Sequence, residues 1–208
     1  MPPAELLLAS QNRGKLAEMR ALLAGLPFRV LSPADLGFTE APEETGSTFV
    51  ENATIKAVHY CLASGRLAVA DDSGLSVDAL GGGPGLLSSR FGGEHATDHD
   101  RNAMLLDKLA GVPADRRGAR FTCAVVVARP TDGAAGRGAE VVFQAVETVE
   151  GRIADGPRGP NGFGYDPVFF YPPYGRTFGE VPAQEKDRVS HRGKAFARLR
   201  EFLASSSS

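Results

Sequence analysis

The chain has 208 residues, 42% of them hydrophobic and 23% charged, with a formal net charge of -2; this ordinary globular balance argues against a nucleic-acid-coating or membrane-surface role. Cys61 and Cys123 each sit in an apolar run, with no C-x-x-C or Cys/His cluster, so zinc is not indicated and buried thiols in a reducing cytoplasm are expected. The apolar stretch Leu6 to Ala9 is too short for a signal-peptide core or a membrane span, and the final Ser205 to Ser208 reads as a disordered tail behind one domain over residues 1–204.

Glu5 to Ala9 reads as a first strand. It runs into Ser10-Gln11-Asn12-Arg13-Gly14-Lys15 and then a helix with Leu16, Met19, Leu22 and Leu23 on one face. A strand, a glycine turn and a helix start aim backbone N–H groups and a helix dipole at one point, which favours an anion. The spacing is not that of a P-loop, and an Asn12 N-cap with solvated Arg13 and Lys15 explains the same residues equally well. Phe28 to Leu31 is a second short strand, followed by a loop from Pro33 to Gly46 that carries Glu43 and Glu44. Thr48-Phe-Val-Glu51 has the pattern of a capping box and opens a helix to about Ser64. Asn52, Lys56 and His59 form a polar stripe on it, by default a solvated face; should the helix flank Asp72, Asn52 and Lys56 would face phosphate.

Leu67 to Ala70 is an apolar strand that is expected to end in the turn Asp71-Asp72-Ser73-Gly74. In an extended segment adjacent carboxylates point to opposite faces, so one can face a site while the other is held by backbone donors or a cation. A divalent metal suits such a pair, and oxygen ligands suit magnesium, which shares itself with phosphate; a plain surface turn uses the same residues. Leu75 to Leu80 alternates like a strand, and Gly81 to Gly85 is a glycine loop. Thr97-Asp-His-Asp100 is a second capping box, opening a helix with Met104, Leu105 and Leu109 on its buried face. Phe121 to Ala128 and Val141 to Val149 are the clearest strands, expected to form a long hairpin covered on both faces. Gly159 to Tyr171 then sets aromatic residues among glycines and prolines, a stacking platform for a flat base, with Phe169, Phe170 and Tyr171 entering the core as a strand. Ser190 is a candidate N-cap that puts His191 and Arg192 in the first turn of the last helix. Cations there oppose the helix dipole, which asks for an anion or a keto oxygen.

Taken in order, Ser10-x-Asn12-x-x-Lys15, Glu43-Glu44-Thr-Gly, Phe49-x-Glu51-Asn52 with Lys56, and Ala70-Asp-Asp-Ser-Gly74 resemble the inosine triphosphate pyrophosphatase family. Pro84-Gly85, Ser88-x-Arg90-Phe91, Gly162-Phe-Gly-Tyr-Asp-Pro167, Lys186 and Ser190-His-Arg-Gly193 extend that resemblance over nearly the whole chain. It implies hydrolysis of non-standard purine nucleoside triphosphates to the monophosphate and pyrophosphate. It also implies an α/β fold with an elongated mixed sheet flanked by helices, two lobes with a deep active-site groove, and a homodimer; the residue pattern itself supports the α/β class. By resemblance, Ser10, Gln11, Asn12, Arg13, Gly14 and Lys15 with Lys56 hold the triphosphate. Glu43 and Asp72 hold Mg2+, and Asp72 activates water with Ser73 beside it. Phe163, Gly164, Tyr165 and Asp166 bind base and sugar, and Lys186, His191 and Arg192 complete the base pocket. A phosphotransferase, a nucleotide-sensing module and a pyrophosphatase for other nucleotides are the competing readings.

Overall fold

The structure is a computed structural model that describes residues 4–93, 95–133 and 136–205. Seven strands form one mixed sheet in the order β2-β1-β3-β4-β5-β6-β7: β1 (Ala4–Leu8), β2 (Phe28–Leu31), β3 (Leu67–Val77), β4 (Gly118–Gly133), β5 (Gly136–Ile153), β6 (Phe169–Tyr171) and β7 (Arg176–Thr177). β1 pairs in parallel with both β2 and β3, whereas β5 with β6 and β6 with β7 run antiparallel. Among the described residues five α-helices accompany it: α1 (Arg13–Leu22), α2 (Phe49–Ser64), α3 (Asp98–Lys108), α4 (Ala183–Val189) and α5 (His191–Ser205). The α/β class read from the residue pattern and the mixed sheet implied by the resemblance are both present.

The chain forms two compact units. One holds the chain up to Asp72, Cys123–Glu147 and the chain from Ala195; the other holds Ser73–Thr122 and Thr148–Lys194. In the first unit the period-2 direction of strand side chains builds two cores. Leu6, Leu8, Val69, Val125 and Val127 pack with Met19 of α1 and with Phe196, Leu199 and Leu203 of α5. Leu7, Ala68, Ala70, Ala124 and Val126 pack with Ala53, Ala57, Tyr60 and Cys61 of α2. Because helices cover both faces, as expected for this strand, Cys123 to Ala128 is buried without interruption. The second unit centres on Leu75, Val77, Leu105, Leu109, Phe121, Val149, Val168, Phe169 and Phe178, with the Phe121 and Phe169 rings 4.6 Å apart.

Three expectations change. β3 does not stop at Ala70 but continues through Asp71-Asp72-Ser73-Gly74 to Val77. Both carboxylates meet cations there, which removes the charge cost that would favour a solvated turn, and Leu75 and Val77 remain fully buried. The strand predicted over Leu75 to Leu80 therefore ends at Val77, and Asp78–Leu80 is a 3-10 turn. Ser205, expected to begin the tail, is the last residue of α5, its hydroxyl donating to the Phe202 carbonyl at 2.8 Å; residues 206–208 lie outside the described residues.

Candidate active site

Asn12 caps α1: its Oδ1 accepts the Lys15 N–H at 3.0 Å, while its own N–H donates to Ser10 Oγ at 3.3 Å. This turn presents the Lys15 ammonium to Asp71, 3.3 Å from Oδ2. Asp71 is 1% exposed and is thus the carboxylate held by a cation. Gln11, Asn12 and Arg13 are exposed, and Gln11 reaches the Tyr60 hydroxyl at 3.4 Å. Ser10, Gly14 and Lys15 are half-buried.

α2 contributes the second part of the centre. Thr48 Oγ1 accepts the Glu51 N–H at 3.1 Å, whereas the Glu51 carboxylate reaches back one residue further than a capping box requires, to the Ser47 N–H at 2.6 Å and its hydroxyl at 2.7 Å. The next residue, Asn52, accepts the Gly46 N–H on Oδ1 at 2.8 Å, which turns its Nδ2 toward Asp72 Oδ2 at 3.4 Å. Lys56 Nζ stands 3.0 Å from Asp72 Oδ1 and 2.6 Å from Glu44 Oε1. The stripe expected as a solvated face is therefore divided: Asn52 and Lys56 are buried against Asp72, and His59 is exposed. Glu44 is the neighbouring acid at this centre, while Glu43 is exposed. Burial pushes the Asp72 carboxyl above its ordinary range against the pull of Lys56 and Lys15. Burial lowers the Lys56 ammonium, but Asp72, Asp71 and Glu44 together raise it, so we take this lysine as charged.

The second unit gathers another set. Asp166 accepts the Phe163 N–H at 2.9 Å and Lys186 Nζ at 2.5 Å on the same oxygen. Both Lys186 and Arg192 lie over the Phe163 ring, at 5.3 Å and 5.7 Å from its centroid, and Arg192 donates to Ser73 Oγ at 2.8 Å. His191 stacks on Phe121 with centroids 4.6 Å apart. Ser190 Oγ accepts the Gly193 N–H at 3.0 Å, the N-terminal cap expected for α5. A side chain at Gly193 would strike the Asp187 carbonyl, so a glycine is required where the first turn of α5 meets α4. Asp166, Lys186, His191 and Arg192 are all at least 96% buried, and Tyr165, also buried, donates its hydroxyl to the Ser88 carbonyl at 2.9 Å. Burial raises that phenol, keeping it a donor.

The sequence reading missed Glu44 as the partner of Lys56, and it missed Asp98 and Asn102, which bond to Gly164 at 2.6 Å and 2.9 Å. Only the acidic doublet points to Glu44; no local signal marks Asp98 or Asn102.

An α/β chain with a lysine–carboxylate centre and a separate set of buried cations over an aromatic ring has the chemistry of a protein that handles phosphorylated aromatic small molecules. Residues 6–202 match the Ham1 family, and the chain belongs to that family. It is 49% identical over 199 residues to the dITP/XTP pyrophosphatase of Xanthomonas oryzae pv. oryzae, covering 95% of this chain and 96% of that one. The structure of a HAM1 protein from Coxiella burnetii superposes with a TM-score of 0.82 at 42% identity, covering 97% of this chain and 99% of that one. The Staphylococcus aureus Ham1 protein gives the same TM-score, 0.82, at 36% identity, with 97% and 99% covered.

Proposed function

We propose that this chain hydrolyses non-standard purine nucleoside triphosphates, of the inosine and xanthosine type, to the nucleoside monophosphate and pyrophosphate. The observation that carries the reading is Asp72: a buried carboxylate with Lys56 on one oxygen and Asn52 on the other, and Glu44 bound to the same lysine. Such chemistry depends on positioning and charge neutralisation rather than on a covalent intermediate. Lys56 and Lys15 neutralise phosphate oxygens, the exposed Asn12 turn adds donors, and Asp72 accepts the proton of the attacking water at the α-phosphorus.

Asp71, Asp72 and Glu44 gather around Lys15 and Lys56, and carboxylate oxygens of this kind suit a divalent cation beside a phosphate chain. Among the described residues no group of three or more His, Cys, Asp or Glu forms a protein-only metal cage. Magnesium fits this donor set, since it is held by one or two carboxylates and completed by substrate phosphates. Asp72 and Glu44, rather than Glu43, would hold it. When bound it would stabilise the charge that develops on the pyrophosphate leaving group.

Phe163 supplies the stacking face for the base, with Lys186 and Arg192 beside it. Arg192 is donor-only, so it matches the keto oxygen of hypoxanthine or xanthine and meets a donor on adenine. A mismatched buried polar group supports discrimination of up to roughly 10⁴-fold. A cytoplasmic homodimer accompanies this reading. Among the described residues no helix is long and apolar enough to cross a membrane.

The purified protein should release pyrophosphate from inosine triphosphate in the presence of magnesium, and far more slowly from adenosine triphosphate. Release of single phosphates overturns the reaction, and equal turnover of both substrates overturns the base assignment.

A further inference from the structure

The loop that carries Phe163 has glycines on both sides, Gly162 and Gly164, each with a positive φ of +74° and +61°. It borders a cavity of about 490 Å³ whose lining includes Asp98, Asn102, Asn161 and Phe163, so packing does not hold the loop on that side. Asp166 accepts the Phe163 N–H at 2.9 Å, and the next residue, Gly164, is held by α3. Asp98 Oδ2 accepts the Gly164 N–H at 2.6 Å, and Asn102, one turn further along the same helix, donates Nδ2 to the Gly164 carbonyl at 2.9 Å. Both polar groups of a single residue are thus gripped by side chains. Asp98 is itself oriented by Arg101, 2.5 Å from its other oxygen, and Arg101 is fixed on the Ala96 and Ser89 carbonyls at 2.6 Å and 3.2 Å.

Stability alone explains Asn102 poorly. The residue is 6% exposed and its Oδ1 has no hydrogen-bond partner among the described residues. A buried acceptor left unpaired is a cost that a leucine of similar shape would not incur. The amide is retained for the bond that its other end makes.

We propose that Asp98 and Asn102 are positioning residues for base recognition: by clamping the Gly164 peptide they hold the adjacent Phe163 ring in the place where the base stacks. This rests on the reading that Phe163 faces the base. The clamp acts on the base end of the substrate, so its loss acts on binding and base choice rather than on turnover.

Asn102→Leu and Asp98→Ala are compared with wild type, with Asp98→Asn as the conservative variant that keeps an acceptor. Expected in the first two is a KM for inosine triphosphate raised about tenfold with kcat within about twofold, and an inosine-over-adenosine preference reduced about tenfold. Inhibition by pyrophosphate stays unchanged, and Asp98→Asn keeps most of the preference that Asp98→Ala loses. Hydrogen exchange at Gly164, measured on the same proteins, reads the clamp independently of activity. Unchanged exchange overturns the clamp. Faster exchange with unaltered base preference overturns its role in recognition. A wild-type enzyme without base preference instead removes the proposed function, while the exchange result still decides whether α3 holds the loop.

Discussion

Asp72 is buried, yet each of its oxygens faces a nitrogen donor, and this decides how it responds to change. Asp72→Asn keeps the shape and loses the proton acceptor. Turnover of inosine triphosphate is expected to drop by about 10²–10⁴-fold, with the circular dichroism spectrum unchanged; near-normal turnover would remove Asp72 from the mechanism. Arg192→Ala tests the other end of the substrate. Pyrophosphate release from inosine and adenosine triphosphates should become more nearly equal, and an unchanged ratio would move the reader elsewhere. At this scale the sequence showed residue types and order but not pairing. The Asp71-Asp72 doublet was legible as two carboxylates of which one is held by a cation, and Lys15 holds Asp71. That Lys56 bridges Asp72 and Glu44 was hidden, because nothing local places the acidic loop beside the second helix. The same absence of a local signal explains why nothing in the sequence singles out Asp98 or Asn102.

At the scale of elements, caps were the most legible features, because they depend on neighbours a few residues apart. Thr97 and Asp100 form the reciprocal box that their spacing predicts. At α2 the spacing was right but Glu51 bonds to Ser47 instead, a detail set by the loop leading into the helix. Thr48→Ala should therefore cost about 1 kcal/mol in urea unfolding, read as a lower midpoint at unchanged slope. The strand β3 was the least legible element. An aspartate pair followed by serine and glycine has turn chemistry, and only partners distant in the chain make it a strand. Gly162 marks a different constraint. At φ +74° a side chain there would collide with Asp166, which Lys186 already fixes at 2.5 Å. Gly162→Ala should raise the KM for inosine triphosphate about tenfold or more and leave inhibition by pyrophosphate untouched; an unaltered KM would show that Asp166 yields freely.

For the whole molecule, acid is the informative perturbation. Asp35, Asp100, Glu51 and Glu180 all have carboxyls held below their ordinary values of 3.8 and 4.5, chiefly by hydroxyl or backbone N–H donors from Ser32, Thr97, Ser47 and Thr177. A folded pKa below the unfolded one means that the unfolded chain binds more protons as pH falls, so this stabilisation is complete above the unfolded values and is lost as pH drops through the folded ones. The urea midpoint should fall steadily below about pH 4. Glu180→Gln should flatten that fall, and an identical slope in the variant would exclude the Thr177 cap as a contributor.

The division of the chain into two units carries a consequence for how the protein is made and degraded. The polypeptide changes unit four times, after Asp72, Thr122, Glu147 and Lys194, and three of those changes fall inside the strands β3, β4 and β5. No single cut liberates either unit intact, and no contiguous gene fragment encodes one. A ribosome that has released the first 72 residues has delivered only part of the first unit, whose remaining pieces emerge after Cys123 and after Ala195. The nascent chain therefore depends on its last helix to finish what its first strand begins.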